Sequence, residues 1–457
     1  MVRTSMRKLL TGGLLSLALG LASGASSTAI AVELVGRAVL PADTFAPGPT
    51  SGQLITGETN GRTVPFVDQQ PVQGFSGVLP GPRRGTFLVM SDNGFGAKAN
   101  SPDYLLRFYA VQPDFLTRFG GSGEVFPVNR ETGRPLTDFS AESFLQLNDS
   151  ANQAGFELVA AQSVYPGTSI PVDSSIQSGR LLTGGDFDLE SFRKVSDGTY
   201  WFGEEFGPFL LHVSADGQLI EPPFSLPNFL GLGDPPLPLV QSPDNPFLGD
   251  TVPNLPGSRG FEGTALNASG TKLYAMLEGP LVPDTNRNRL LINEFDLATK
   301  SYTGRVFYYR MENTVESGQA IGDLTAINDR EFLVIERDSR QGDPNNPAVT
   351  DPAQFKRIYK LDITKLDSQG FVEKQLLVDL LNIEDPFGLG GNGTTDGTFT
   401  FPFVTIEDVL PINSTTLLVI NDNNYPFSTG RTPGEPDNNE FILVRLDQPL
   451  KLARPLR

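Results

Sequence analysis

The chain has 457 residues, 35 Lys and Arg against 53 Asp and Glu, a formal net charge of −18, one His and no Cys. That balance argues against a nucleic-acid partner, because phosphate binding draws on clustered basic residues, and a chain without Cys has neither disulfide staples nor a Cys-linked lipid anchor. The acidity leaves two readings, plain solubility or acids gathered around a hard cation such as calcium.

Residues 1–31 read as a secretory signal peptide. Arg3, Arg7 and Lys8 precede an apolar stretch from Leu9 to about Ala22, and Ala29-Ile30-Ala31 offers small residues at the cleavage positions. The stretch is shorter than the roughly 20 apolar residues of a spanning helix, and no later segment comes close. The protein is therefore expected to be exported to the periplasm or the medium, with no membrane span. Removing the signal leaves 426 residues with 32 basic against 53 acidic, enough for one large core. Residues 32–457 are read as a single domain with long loops at about 120–185, 221–257 and 384–402.

This remainder is Gly-rich and Pro-rich, without a long amphipathic helix pattern, so its class is all-β. "VELVGRAVL" (32–40) is a strand with no neighbour in sequence. "FSGVLPGPRRGTFLVMSDNG" (75–94) reads as a β-hairpin. The same design returns at "LESFRKVSDGTYWFGEE" (189–205), "FEGTALNASGTKLYAMLEG" (261–279), "GDLTAINDREFLVIER" (322–337) and "IEDVLPINSTTLLVIND" (406–422). A third strand of shared shape follows each: "YLLRFYA", "FLLHVSA", "LLINEFD", "RIYKLD" and "FILVRLD". Two lead into a fourth, "GRVFYYRM" and "KQLLVDLL". Four antiparallel strands repeated along a chain predict a β-propeller; a β-sandwich competes but gives no reason for the same acids to recur. Five blades are visible, and the 114-residue interval from Ser76 to Glu190 is long enough for a sixth. The N-terminal strand is expected to complete the last blade.

In a hairpin, the start of the first strand lies beside the end of the second. This pairs Glu190 with Glu204, Glu262 with Glu278, Asp323 with Glu336 and Glu407 with Asp422, while Asp92 stands opposite Ser76. On the two innermost strands these nine carboxylates would surround one mouth of the central channel. Like charges so placed raise one another's pKa values unless a cation relieves them, and calcium suits an all-oxygen site. Taken singly, each acid reads as a solvated turn residue; the recurrence favours the site. Glu205 has no acidic counterpart elsewhere and is the first choice for a catalytic base, with Glu204 and Glu262 beside it.

Zinc and copper sites of the usual kinds cannot be built without Cys and with one His. That residue, His212, occupies a third-strand slot held by Arg107, Glu294, Lys360 and Arg445 elsewhere, and is expected to face solvent. No G-x-S-x-G elbow occurs in the mature chain, which argues against triad chemistry. Arg259 and Arg337 flank the acids and suit an anionic substrate group, or ion pairs with those acids. "DTNRNR" (284–289) imitates an EF-hand start but reads as a turn; "PDNNEF" (436–441) is a weak candidate for a loop calcium ligand.

The segments "GGDFDLESF", "YWFGEEFGPFLLHVSADG", "SRGFEGTALNASGTKLYAMLEGPL", "IGDLTAINDREFLVIERD" and "DNNEFILVRLD" together resemble the secreted phytase-like esterase family, described as having the esterase-like activity of phytase. The likeness spans roughly residues 60–450. It implies a β-propeller and hydrolysis of ester or phosphoester bonds outside the cytoplasm, and lends weight to Glu190, Glu204, Glu205, Glu262, Glu278 and Glu336. The cation-rich phosphate pocket of a true β-propeller phytase has no match here, which argues against inositol hexakisphosphate.

The leading expectation is a calcium-assisted hydrolase of a small anionic ester or phosphoester. The alternative is a non-catalytic propeller, stabilised by calcium, that binds a ligand or a protein partner; a lactonase-like propeller would share the metal ring and differ in substrate.

Overall fold

A computed structural model describes residues 32–312 and 318–453; the signal peptide expected at 1–31 lies outside them. The first strand, β1 (Glu33–Leu40), alternates half-buried and buried positions along its whole length, as a strand with one face in a core must. A small ribbon, β2 (Phe45–Pro47) with β3 (Gln69–Pro71), follows.

Four-stranded antiparallel units then succeed one another. The first is β4 (Phe75–Pro80), β5 (Phe87–Ser91) and β6 (Arg107–Asp114), whose outer edge pairs with both β7 (Glu124–Pro127) and β8 (Phe144–Gln146). The second is β9 (Leu189–Lys194), β10 (Tyr200–Glu204), β11 (Phe209–Val213) and β12 (Phe224–Ser225). The third is β13 (Phe261–Leu266), β14 (Lys272–Leu277), β15 (Arg289–Asp296) and β16 (Ser301–Arg310). The fourth is β17 (Ala320–Ala326), β18 (Glu331–Arg337), β19 (Lys356–Leu366) and β20 (Val372–Asp379). After the short pieces β21 (Ile383–Glu384), β22 (Thr394–Thr395) and β23 (Thr398–Phe399), the last unit is β24 (Asp408–Asn413), β25 (Thr416–Ile420), β26 (Asn439–Arg445) and β1 itself. β1 runs antiparallel to β26 from Glu33 opposite Arg445 to Leu40 opposite Asn439. The N-terminal strand thus completes the final unit of a propeller.

The first strand of each unit packs on the first strand of the next: β4 on β9, β9 on β13, β13 on β17, β17 on β24, and β24 back on β4. The interval expected to hold a sixth unit instead supplies the outer partners of β6, a helical turn at Val159–Ala161 and a short helix at Ser174–Gly179. Among the described residues the second, third and fourth units are separate four-stranded sheets, while β1 also pairs with β7, Val39 opposite Glu124, and joins the first and last units in one 12-stranded sheet. Between neighbouring sheets lie dry apolar layers, such as Met90, Phe108, Phe192, Phe202 and Leu211 between the first two. Each such fully buried side chain contributes roughly 1.5–3 kcal/mol relative to exposure.

Two details of register position the site. Four of the five inner strands carry a bulge near their start, β24 being in register there: Phe75 pairs with Ser91 but Gly77 with Met90, Phe261 with Leu277 but Gly263 with Met276, and Ile321 with Glu336 but Asp323 with Ile335. In the second unit Leu189 pairs with Glu204 and Ser191 with Gly203. The extra residue is Ser76, Glu190, Glu262 or Gly322, and a bulge re-aims such a residue out of the ladder. The second detail is Arg193 of β9, which reaches across to β17, two units away. Its Nη2 donates to Asp323 Oδ1 at 3.2 Å, to the carbonyl of Leu324 at 2.9 Å and to Thr325 Oγ1 at 2.7 Å. This buried side chain crosses the axis of the ring.

Candidate metal centre

The bulges change which acids meet. Glu190, Glu262 and Glu407 each present a carboxylate oxygen within 4.8 Å of the others. These residues come from three different inner strands or their approaches. On the second strands, the position that follows the rim pair is Asp92, Glu205, Glu278 and, in the fourth unit, Arg337. The backbone N–H groups of Asp92, Glu205 and Glu278 donate to the carbonyls of Gly74, Asp188 and Gly260 at 2.8, 2.9 and 2.9 Å, and Arg337 pairs with Ala320 in the same way. Glu205 is therefore the structural counterpart of Asp92 and Glu278, and Arg337 stands where Glu336 was expected.

Three of the nine expected ring acids turn elsewhere, because neighbouring residues on a strand face opposite sides. Glu204 is fully buried and accepts the N–H of Phe206 at 2.9 Å, of Gly207 at 2.7 Å and of Phe209 at 2.8 Å. It braces the 205–209 turn and has no part in the cluster. Glu336 accepts from Tyr309 Oη at 2.7 Å, from the N–H of Glu312 at 2.7 Å and from Lys374 Nζ at 2.9 Å. Asp323 is held by Arg193 and by the N–H of Val409 at 3.1 Å.

The acid that sequence reasoning missed is Asp188. Its carboxylate forms a group within 4.8 Å with Glu190 and Glu205, and a third group joins Glu205, Glu262 and Glu278. Asp188 lies two residues before Glu190 in "GGDFDLE", at the position of Gly74 and Gly260, so the repeat itself carried the signal. Asn93 orients it, donating from Nδ2 to Oδ2 at 2.7 Å and from its N–H to Oδ1 at 3.2 Å. The N–H of Gly260 donates to Glu205 Oε1 at 2.9 Å. A side chain at position 260 is excluded, since its Cβ would fall 2.3 Å from Glu205 Cα. Beside the cluster, Asp92 accepts the N–H of Gly94 at 2.8 Å, and Asp422 accepts the N–H of Asn424 at 2.7 Å and the hydroxyl of Thr405 at 2.8 Å.

Two guanidinium groups enter this set of carboxylates. Arg337 Nη2 lies 3.1 Å from Glu278, 3.5 Å from Glu407 and 3.9 Å from Glu262. Arg259 pairs with the other oxygen of Glu278. Both expected cations are thus at the site and both are engaged with acids, Arg337 buried and Arg259 partly exposed. Burial works against the charge of Arg337, but Glu278, Glu407 and Glu262 raise its pKa above the ordinary value.

Eight carboxylates face these two cations: Asp92, Asp188, Glu190, Glu205, Glu262, Glu278, Glu407 and Asp422. Burial, and after it mutual repulsion, raises Asp92, Glu190, Glu205 and Glu262 well above the carboxylate range. Burial followed by the charge of Asp422 pushes Glu407 up to about 8. Burial pushes Asp188 up to about 6. Glu262 Oε1 is buried without any hydrogen-bond donor. An orphaned carboxylate oxygen among crowded, oxygen-only neighbours fits a hard cation, which replaces its hydration with carboxylates. Asp188, Glu190 and Glu205, which share one group, would hold it together with Glu262, which meets Glu190 and Glu205 in the other two.

Other sequence candidates fall outside. His212 does not face solvent: it is buried, stacks on Trp201 at 4.3 Å between ring centres, and directs its two nitrogens at Glu221 and Thr199. In "PDNNEF", Asp437 accepts the N–H groups of Gly430 and Arg431, and Glu440 is clamped by Arg37 and Arg431, so neither carboxylate is free for calcium. In "DTNRNR", Asp284 closes an ordinary turn on Asn286 and Arg289.

An uncharacterized secreted protein of Arthroderma benhamiae is 25% identical over 235 residues, 46% of this chain and 44% of its own length, so the chain spans less than half of that relative. Among the described residues no helix is long and apolar enough to cross a membrane. Among solved structures, a luciferin-regenerating enzyme aligns at a TM-score of 0.36 and 13% identity, covering 84% of this chain and 96% of its own. The arabinanase of Bacillus subtilis gives 0.35 and 10%, covering 81% and 92%. The calcium-binding protein regucalcin of Agrobacterium tumefaciens gives 0.32 and 12%, covering 88% and 96%. A family model described as the esterase-like activity of phytase matches residues 70–425, which takes in the first four units, the β24–β25 hairpin of the last and every acid of the cluster, and the chain belongs to this phytase-like family.

Proposed function

We propose that the protein is an exported hydrolase of small anionic esters or phosphoesters, assisted by calcium held at the acidic cluster. The observation that carries the reading is the overlap of the groups formed by Asp188, Glu190, Glu205 and Glu262, with an oxygen on Glu262 that no hydrogen-bond donor reaches. Family membership supports ester chemistry. Bound calcium would polarise an ester or phosphoryl oxygen and lower the pKa of a water.

The chain's own residues divide the remaining work. Glu205, its Oε1 fixed by the N–H of Gly260, is the base that we assign to the water proton, or a ligand beside it; Glu262 shares one of its two groups, with Glu278. Arg259, the more exposed of the two cations, would receive the anionic part of the substrate, giving up part of its hold on Glu278. Arg337 serves as the internal counter-ion. Glu204 has no catalytic role here.

The test is turnover of aryl phosphate, phosphodiester and carboxylate esters by the full chain, with calcium and with chelator, and by Glu262→Gln. Activity that ignores chelation removes the metal from the reading. One observation favours a second reading, a calcium-stabilised binding propeller: every carboxylate of the cluster is at most 9% exposed, which leaves a substrate little access. Calcium-dependent stability with no turnover of any ester would select it.

A further inference from the structure

At the opposite end of the same strands from the acids, a cavity of about 900 Å³ opens between the first and last units. Phe87, Phe115, Leu410, Ile412 and Leu443 line it, and Leu450 and Leu452 close one side. Phe115, Ile412 and Leu443 are only partly covered by the core behind them. Arg83 and Arg84, on the β4–β5 turn, and Lys451 stand at the rim, exposed and without an ion pair among the described residues. Among the described residues no acid lines the cavity, although the chain carries 53 acids against 35 bases.

An apolar interior of this size falls within the roughly 300–1,000 Å³ of small-molecule sites. Its charged groups are all cations, Arg83, Arg84 and Lys451, beside the neutral Thr86, Asn413 and Ser414; such cations fix an anionic head while the interior takes a chain. We propose that this cavity binds an anionic amphiphile, a single hydrocarbon chain ending in a carboxylate or a phosphate. The chain displaces water from Ile412, Leu443 and Phe115, and the head meets Arg83, Arg84 and Lys451. The site is separate from the acidic cluster, so its occupancy does not depend on calcium.

Isothermal titration of the full chain with octanoate, decanoate, dodecanoate, dodecyl phosphate and dodecanol, all below their micelle concentrations, tests this in calcium and in chelator. Affinity is expected to rise about threefold to fourfold per methylene. Dodecanol should bind at least about tenfold more weakly than either anion, the loss of one charge-assisted contact. Comparison of dodecanoate with dodecyl phosphate tells which head is preferred. Charge reversal at the exposed pair, R83E with R84E, should remove the preference for anions while leaving the fold intact, and Ile412→Trp should fill the cavity and abolish binding. Affinity independent of chain length, or unchanged by R83E with R84E, overturns the proposal. So does binding only after deletion of residues 454–457, which would make the chain's own tail the occupant, or a dimer that buries this face and resists the amphiphile.

Discussion

Arg337 and Glu278 form an ion pair of 3.1 Å in which the cation occupies the position that acids take in neighbouring units. Asp92, Glu205 and Glu278 follow the rim pair of their hairpins, and Arg337 follows it in the fourth. With Arg259, two built-in positive charges thus sit among the carboxylates, and both pair with Glu278, which biases any added cation toward Asp188 and Glu190.

Replacing that guanidinium should expose the repulsion it suppresses. Arg337→Met leaves Glu262 and Glu407 buried without their counter-ion and Glu278 with Arg259 alone, and breaking a buried pair in this way costs about 3–5 kcal/mol. Urea unfolding in chelator is expected to show the full loss. Calcium should restore part of it, and no rescue by calcium would mean that the ion binds elsewhere or not at all.

The metal-free protein should grow less stable as pH rises through the neutral range. Glu407, pushed up to about 8 by burial and Asp422, and Asp188, pushed up to about 6 by burial, hold protons in the folded state that the unfolded chain has already released. Folded pKa values above unfolded ones give stability that is complete below about pH 4 and lost as pH rises through 6 to 8. Melting temperatures in chelator should therefore fall from pH 5 to pH 8, and calcium should flatten the slope. A melting temperature that rises over this window in chelator contradicts the assignment.

Asn93 touches the proposed site only through Asp188, with both donors on that carboxylate. Asn93→Ala is expected to weaken calcium binding about 10–100-fold, the usual effect of removing a group that orients a ligand. Calorimetric titration with calcium measures it.

Glu204 and Glu205 should behave as opposites. Glu204→Gln sets an amide NH2 against backbone N–H donors and should cost about 1–3 kcal/mol of stability, with calcium affinity unchanged. Glu205→Gln should weaken calcium binding. Equal effects of the two on calcium would refute the register described here.

Arg193 and Asp323 join non-adjacent units across the ring axis at 3.2 Å. Arg193→Ala should destabilise by about 3–5 kcal/mol because Asp323 is left buried and uncompensated, whereas joint replacement by apolar residues of similar volume should cost little. A double-mutant cycle read by chemical denaturation decides it.

Much of this molecule was legible in its repeats. The hairpin spacing, the recurring third strand and the unpartnered "VELVGRAVL" were enough to place a propeller closed by its N-terminal strand, because a strand left over at one end and an edge left open at the other are complementary needs. Counting, however, takes each turn at face value. The bulges that displace Glu190 and Glu262 from the ladder are set by how the inner strands pack around the axis, and one residue of slip reverses a side chain's face. For that reason Glu204, Asp323 and Glu336 read as ring acids and are not, while Glu205 read as exceptional and is regular. Asp188 was visible in "GGDFDLE" but carried no weight until Gly74 and Gly260 showed its place.

By itself, then, the sequence determined the strand count per unit, the closure and the end of the ring at which acids gather, since these follow from short-range alternation and turn chemistry. Only the tertiary structure decided which carboxylates meet, that Arg337 stands among them and that Arg193 crosses the axis. Those relationships join residues of different units, from Arg337 and Glu278, 59 positions apart, to Arg193 and Asp323, 130 apart, and they depend on the register of five inner strands packed against one another.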